Sequence, residues 1–261
     1  VSKVEEDSMM NGESGYWRAA VAVVVAAVTL MGAAMVPSAG AHDERRPSAF
    51  PLDASPYGNT YGEWSARWWQ WLLAIPTPKN PNLDSTGENC GEGQTGPVWF
   101  LAGAFVGGFP FTRSCTVPAG KALLLPLNNT LFGAGAFDCT PTVPDVLCDL
   151  NVVRRAAADQ VDFSGRVDAV KLEVDGFPIR NLNDFRVQSP VMSLTYPPDN
   201  VVSFLFGVPV PGGTYTPNVS DGYFLIFAPL PRGQHTIRIK VIGVGVGTYH
   251  LTVASPTQNA P

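Results

Sequence analysis

The chain has 261 residues, enough for one large domain or two small ones. Hydrophobic residues make up 45%, which excludes wholesale disorder. Charged residues reach only 15%, and the formal net charge of −5 argues against a protein built to displace counterions from nucleic acid. With 26 Gly, 24 Pro and 14 Phe, the composition is turn-rich and leans towards β structure.

Residues 1–41 read as an export signal. Arg18 precedes an uncharged apolar run from Ala19 to Val36, and Ala39-Gly40-Ala41 offers a small-residue cleavage site. The alternative is a retained anchor, since that run is just long enough to span a bilayer. Either way, the chain from His42 onward is expected to work outside the cytoplasm, as a secreted, periplasmic or cell-surface protein. The four cysteines all lie beyond this segment and form no Cys-x-x-Cys pair. Pairing of nearest neighbours, Cys90 with Cys115 and Cys139 with Cys148, is one of three connectivities. It is favoured because each pair would close a Gly/Pro-rich loop. Zinc ligation has the wrong spacing and no nearby histidine.

Residues 42–58 carry three prolines and read as an extended arm. Residues 59–261 then form one domain without a clean internal linker. Thr60 and Glu63 stand at capping-box spacing, and Pro76 ends the helix they open. At 100° per residue, Tyr61, Trp64, Trp68, Trp71, Leu72 and Ile75 share one face, with Glu63, Arg67 and Gln70 opposite. Trp69 and Leu73 point away from the centre of the aromatic face. A turn-dense segment from Thr77 to Gly96 follows.

Strands are predicted over Val98–Ala102, Lys121–Leu127, Ala169–Val174, Phe185–Gln188, Met192–Tyr196, Val201–Phe206, Tyr223–Ala228, His235–Ile242 and Tyr249–Ala254. In the eighth of these, Ile237, Ile239 and Val241 alternate with Thr236, Arg238 and Lys240, one face buried and one wet. Val174-Asp-Gly-Phe177 reads as a hairpin turn. A short helix fits Leu150 to Val161. This order predicts an all-β fold: an antiparallel β-sandwich, immunoglobulin-like or jelly-roll, with one Trp-rich N-terminal helix packed against it.

Three stretches occur together: Tyr61-Gly-Glu-Trp-Ser-Ala-Arg-Trp-Trp-Gln-Trp71, Gly93-Gln-Thr-Gly-Pro-Val-Trp-Phe-Leu-Ala-Gly103, and Ser220-Asp-Gly-Tyr-Phe-Leu-Ile-Phe-Ala-Pro-Leu230 with Gly233-Gln-His-Thr-Ile237. In these the chain resembles a family of exported bacterial proteins, over about Tyr57 to Val253. The resemblance implies export but carries no activity. The last segment also resembles the final hairpin of immunoglobulin-like sandwiches, a likeness of architecture only.

Catalytic signatures are missing: no nucleophile elbow, no metalloprotease helix, no phosphate or dinucleotide loop. His235 and His250 are expected near the open end of the last hairpin, where a metal pair or general base is conceivable. An amino-terminal copper site at His42 would need a second histidine within range. Hydrolysis by carboxylates would draw on Glu63, Gln94 and Glu173, if two of them met in a cleft. Asp84, Glu88, Asp138, Asp145 and Asp149 lack the calcium-loop spacing. Asn128 and Asn218 open glycosylation sequons. Trp69 and Trp99 are the aromatic candidates for shaping a carbohydrate or polymer groove.

The reading these observations favour is an exported, non-catalytic binding protein for a polysaccharide or other surface polymer. It needs no cofactor, contacts no nucleic acid, and leaves the membrane once the signal is cleaved. A carboxylate-dependent hydrolase of the glycosidase or acid-peptidase type and a structural envelope protein are the alternatives.

Overall fold

The structure is a computed structural model and describes residues 47–104, 108–135, 149–164 and 167–255, with the backbone alone at 138–139. The signal segment, His42 and the expected Cys139–Cys148 bridge fall outside the described residues. The first bridge is formed, Cys90 to Cys115. Among the described residues no helix is long and apolar enough to cross a membrane.

Helix α1 (Tyr61–Leu73) begins as its sequence demands. The Thr60 hydroxyl accepts from Glu63 N, and Glu63 Oε2 accepts from Thr60 N at 2.7 Å, a complete capping box. The whole expected face, Tyr61, Trp64, Trp68, Trp71, Leu72 and Ile75, is buried. Its indoles also fasten coil to core: Trp64 donates to Pro56 O, Trp68 to Leu101 O and Trp71 to Glu92 O, all at 2.8–2.9 Å. Tyr61 donates to Phe50 O at 2.6 Å, and burial pushes its hydroxyl up to about 12. Gly62 is required by close approach, since a Cβ there would sit 2.8 Å from Gln188 O.

Strands β1 (Val98–Phe100), β3 (Ala122–Ala134), β9 (Gly213–Phe227) and β7 (Arg186–Gln188) lie side by side in that order. β4 (Asp138–Cys139) joins β3, and β8 (Met192–Tyr196) joins β9. The second sheet runs β2 (Phe111–Pro118), β11 (Gly245–Ala254), β10 (Gly233–Val241), β5 (Val170–Val174) and β6 (Phe177–Ile179). Alternation along the first sheet sorts its side chains cleanly. Val98, Phe100, Ala122, Leu124, Phe224 and Ile226 pack with α1, whereas Trp99, Leu101, Leu123, Leu125, Leu225 and Phe227 pack with the second sheet. The result is a layered, sandwich-like β protein with a helix across one face.

Four expectations need correction. The sheets are mixed, because β1–β3, β3–β4 and β2–β11 are parallel pairs. The chain steps from β1 to β2 and back to β3 across the two sheets, so spatial neighbours need not be joined by hairpins. Second, Val201–Phe206 is a helix, α3, despite its β-branched and aromatic residues. Asn200 caps it through Ser203 N at 2.9 Å, and Gly207 ends it in the left-handed region at φ 64°. Third, β2 was not anticipated, since its inward positions Phe111, Arg113, Cys115 and Val117 include a charge and a cysteine that obscure the alternation. Fourth, β3 and β9 run much further than their apolar stretches. They pass a bulge between Pro126 and Asn129 opposite Gly222, where a Cβ would lie 2.4 Å from the Asn129 backbone.

Candidate functional site

The catalytic candidates are dispersed by the fold. Glu63 is spent on the α1 cap, and the Thr60 backbone bond first and its hydroxyl second hold the carboxyl below its usual range. Gln94 acts as a backbone surrogate at the edge of β1. Its amide donates to Phe100 O at 2.8 Å and accepts from Phe100 N at 3.0 Å, and it also donates to Cys90 O. Glu173 lies on the outer face of the second sheet, separated from α1 by both sheets.

The histidines do not meet either. Thr236 is the partner of His250, so His235 and His250 occupy opposite faces of the β10–β11 hairpin. His235 is held between Asp175 Oδ2 at 2.7 Å and Pro231 O at 2.8 Å. Among the described residues no three His, Cys, Asp or Glu side chains converge as metal ligands. Asp84 turns its carboxylate onto its own loop, accepting from Thr86 N, Thr86 Oγ1 and Asn89 N at 2.7–2.8 Å. Asp149 caps helix α2 (Leu150–Phe163).

The aromatic candidates are interior. Trp69, expected at the margin, is 8% exposed and stands edge-on to Trp68 at 4.9 Å. Trp99 is equally buried, between the sheets. Neither indole N–H finds a partner. The helix lies close enough on the sheet to cover Trp69 as well as the central stripe.

Two polar nodes, one buried and one partly exposed, were not legible as such. Arg113, 5% exposed, reaches from β2 into the turn-dense loop. It donates to Asp84 O at 2.7 Å, Ala102 O at 3.0 Å, Gly103 O at 2.7 Å and Asn82 O at 3.2 Å, and also to the Tyr249 hydroxyl. Burial pushes the Tyr249 hydroxyl up, with Arg113 opposing. Beside this clasp is a cavity of about 10 Å³ bordered by Asp84, Cys90, Cys115 and Tyr249, room for about one water and no organic ligand. At the second node, Arg186 of β7 donates to Asp221 of β9 at 2.8 Å and to Asp162 of α2 at 2.6 Å. Gln188 bridges Asp221 to the Arg154 carbonyl. Both nodes join elements of the fold, and neither opens onto a cleft.

The surface that remains is the outer face of the second sheet. Registers place its outward side chains in rows across the strands. Thr116, Thr252 and Gln234 form one row; Ser114, His250 and Thr236 the next; Thr112, Thr248, Arg238 and Glu173 the third; Val246, Lys240 and Lys171 the last. Rows continue every ~4.8 Å across strands and every ~6.8 Å along them. In those positions the face is polar apart from Val246 and carries no aromatic side chain. At its β2–β11 side it offers mainly hydroxyls, and at its β10–β5 side mainly charge. The wet half of β10 was visible in the alternation of Thr236, Arg238 and Lys240. Which strands flank it was not.

No protein-family model, curated protein or solved structure matches this chain.

Proposed function

We propose that the protein is an exported, non-catalytic binding module, akin to the exported bacterial family its motifs resemble, that receives an extended polymer on the outer face of the five-stranded sheet. One observation carries this reading: among the described residues no element packs on that broad β face, whereas α1, α2 and the second sheet cover the first sheet. Its regular array of hydroxyl, imidazole and guanidinium groups suits a ligand that repeats. The side chains able to do chemistry are dispersed in caps, turns and strand edges, which supports binding over turnover. Buried Trp69 and Trp99 direct the reading towards hydrogen bonding instead of indole stacking.

The test is retention of the full chain on a panel of insoluble and soluble polymers, wild type against Thr248→Arg with His250→Glu. Retention of the wild type and its loss in the variant, with an unchanged near-UV spectrum, is the expected result. Equal retention of both proteins would remove this face from the function.

A further inference from the structure

The outer sheet face has an unbalanced charge at one side. Lys171 of β5 and Lys240 of β10 are directly opposite one another in register, both exposed. Like charges so placed repel. Arg238, two residues from Lys240 on the same face, is also exposed. Among the described residues none of these three cations forms an ion pair; Glu173, the Cα partner of Arg238, stays beyond ion-pair distance of it. The chain as a whole is acidic, with a net charge of −5 that already counts these three cations. An acidic protein that sets two lysines against each other and an arginine beside them presents a local positive field that no ion pair among the described residues neutralises.

Resting on the binding face proposed above, we infer that its ligand is an acidic polysaccharide: a linear chain bearing carboxylates on hydroxyl-rich sugar rings. The two chemistries of the face call for both groups. Lys171, Lys240 and Arg238 meet carboxylates. The adjoining hydroxyl rows, centred on Thr248 and Thr236 with His250, meet ring hydroxyls. A nucleic acid fits less well, because its dense phosphates would meet three cations here and repulsion from the rest of an acidic surface.

The experiment measures binding of the full chain to polygalacturonate, neutral dextran, polyglutamate and duplex DNA. The expected result is binding to polygalacturonate that weakens on the order of tenfold as salt rises from about 50 to about 200 mM, with dextran, polyglutamate and DNA each bound at least tenfold more weakly. Lys240→Glu separates function from fold. It replaces a cross-strand repulsion with an attraction to Lys171, so the melting temperature holds or rises while binding to polygalacturonate falls at least tenfold. Unchanged binding by that variant overturns the inference. Equal, salt-insensitive binding of dextran overturns the inference and leaves the binding-module reading standing. Tighter binding of polyglutamate or DNA than of polygalacturonate overturns the polysaccharide assignment. Failure to bind any polymer, there and on the wider panel, removes both readings.

Discussion

Arg113 and Arg186 are two solutions to the same problem, the partial or full removal of a guanidinium from water. Among the described residues Arg113 forms no ion pair; four main-chain carbonyls and a tyrosine hydroxyl accept its hydrogen bonds. Arg186 faces two carboxylates. Burial works against its charge, but Asp221 and Asp162 outweigh that and hold its proton more tightly than usual. The difference follows from what each arginine must join. The turn-dense loop under Arg113 has few apolar side chains to bury, so its carbonyls need a multi-pronged donor. Strands β7 and β9 and helix α2 instead supply side chains on facing surfaces, so charge can meet charge. A cation that organises backbone is therefore irreplaceable in a way that a cation paired with an acid is not.

That contrast can be broken experimentally. Arg113→Met leaves the carbonyls of Asn82, Asp84 and Gly103 without this donor, while Ala102 O keeps the Tyr249 hydroxyl, and is expected to cost about 4 kcal/mol by urea unfolding. No second substitution should restore it, because the orphaned partners are main chain. Arg186→Met is expected to cost about 3 kcal/mol, mostly from the buried Asp221 left unpaired. Here Asp221→Asn in the same chain should recover most of the loss; a double variant no better than the single would erase the distinction.

The loop side can be sharpened further. Cys90 and Cys115 are 25 residues apart, and replacing both by alanine should lower stability by about 3 kcal/mol through the unfolded chain. Arg113 and the Trp71–Glu92 bond should still hold the loop, so native tryptophan fluorescence should not change. The smallest effect concerns Asp84. Its burial raises the carboxyl, but hydrogen bonds from Asn89, Thr86 and Gly87 outweigh this and hold it below its usual range. Stability from this group is present above about pH 4 and lost as pH falls through its lowered folded value. Asp84→Asn should therefore flatten the acid limb of a stability-against-pH profile and slightly lower its neutral plateau; an unaltered acid limb would show that the turn does not bind the carboxylate.

How far each part was legible depends on where its determinants lie. Helix α1 was readable because its cap and its indole spacing are local, and Asp175-Gly176 marked its hairpin for the same reason. Strand β2 was hidden because Arg113 breaks the apolar alternation for a purpose visible only when the loop is in place. The polar halves of β3 and β9 were missed because Asn128 and Asp221 look like turn residues until Ser164 at the end of α2 and Arg186 provide their partners. Val201–Phe206 misled because side-chain preference argued for a strand while two capping residues, at its ends, settled a helix.

By itself, then, the amino-acid order determined the β-rich class, the aromatic helix and the wet face of β10, all of which arise from contacts within a few residues or from a repeating period, and it favoured Cys90–Cys115 among three connectivities without deciding it. Tertiary structure alone decided which strands lie side by side, that Trp69 is interior, that the two histidines face apart and that Lys171 opposes Lys240. Those facts depend on pairing between segments distant in the chain, and a period of two says which side a residue faces without saying what it will meet there.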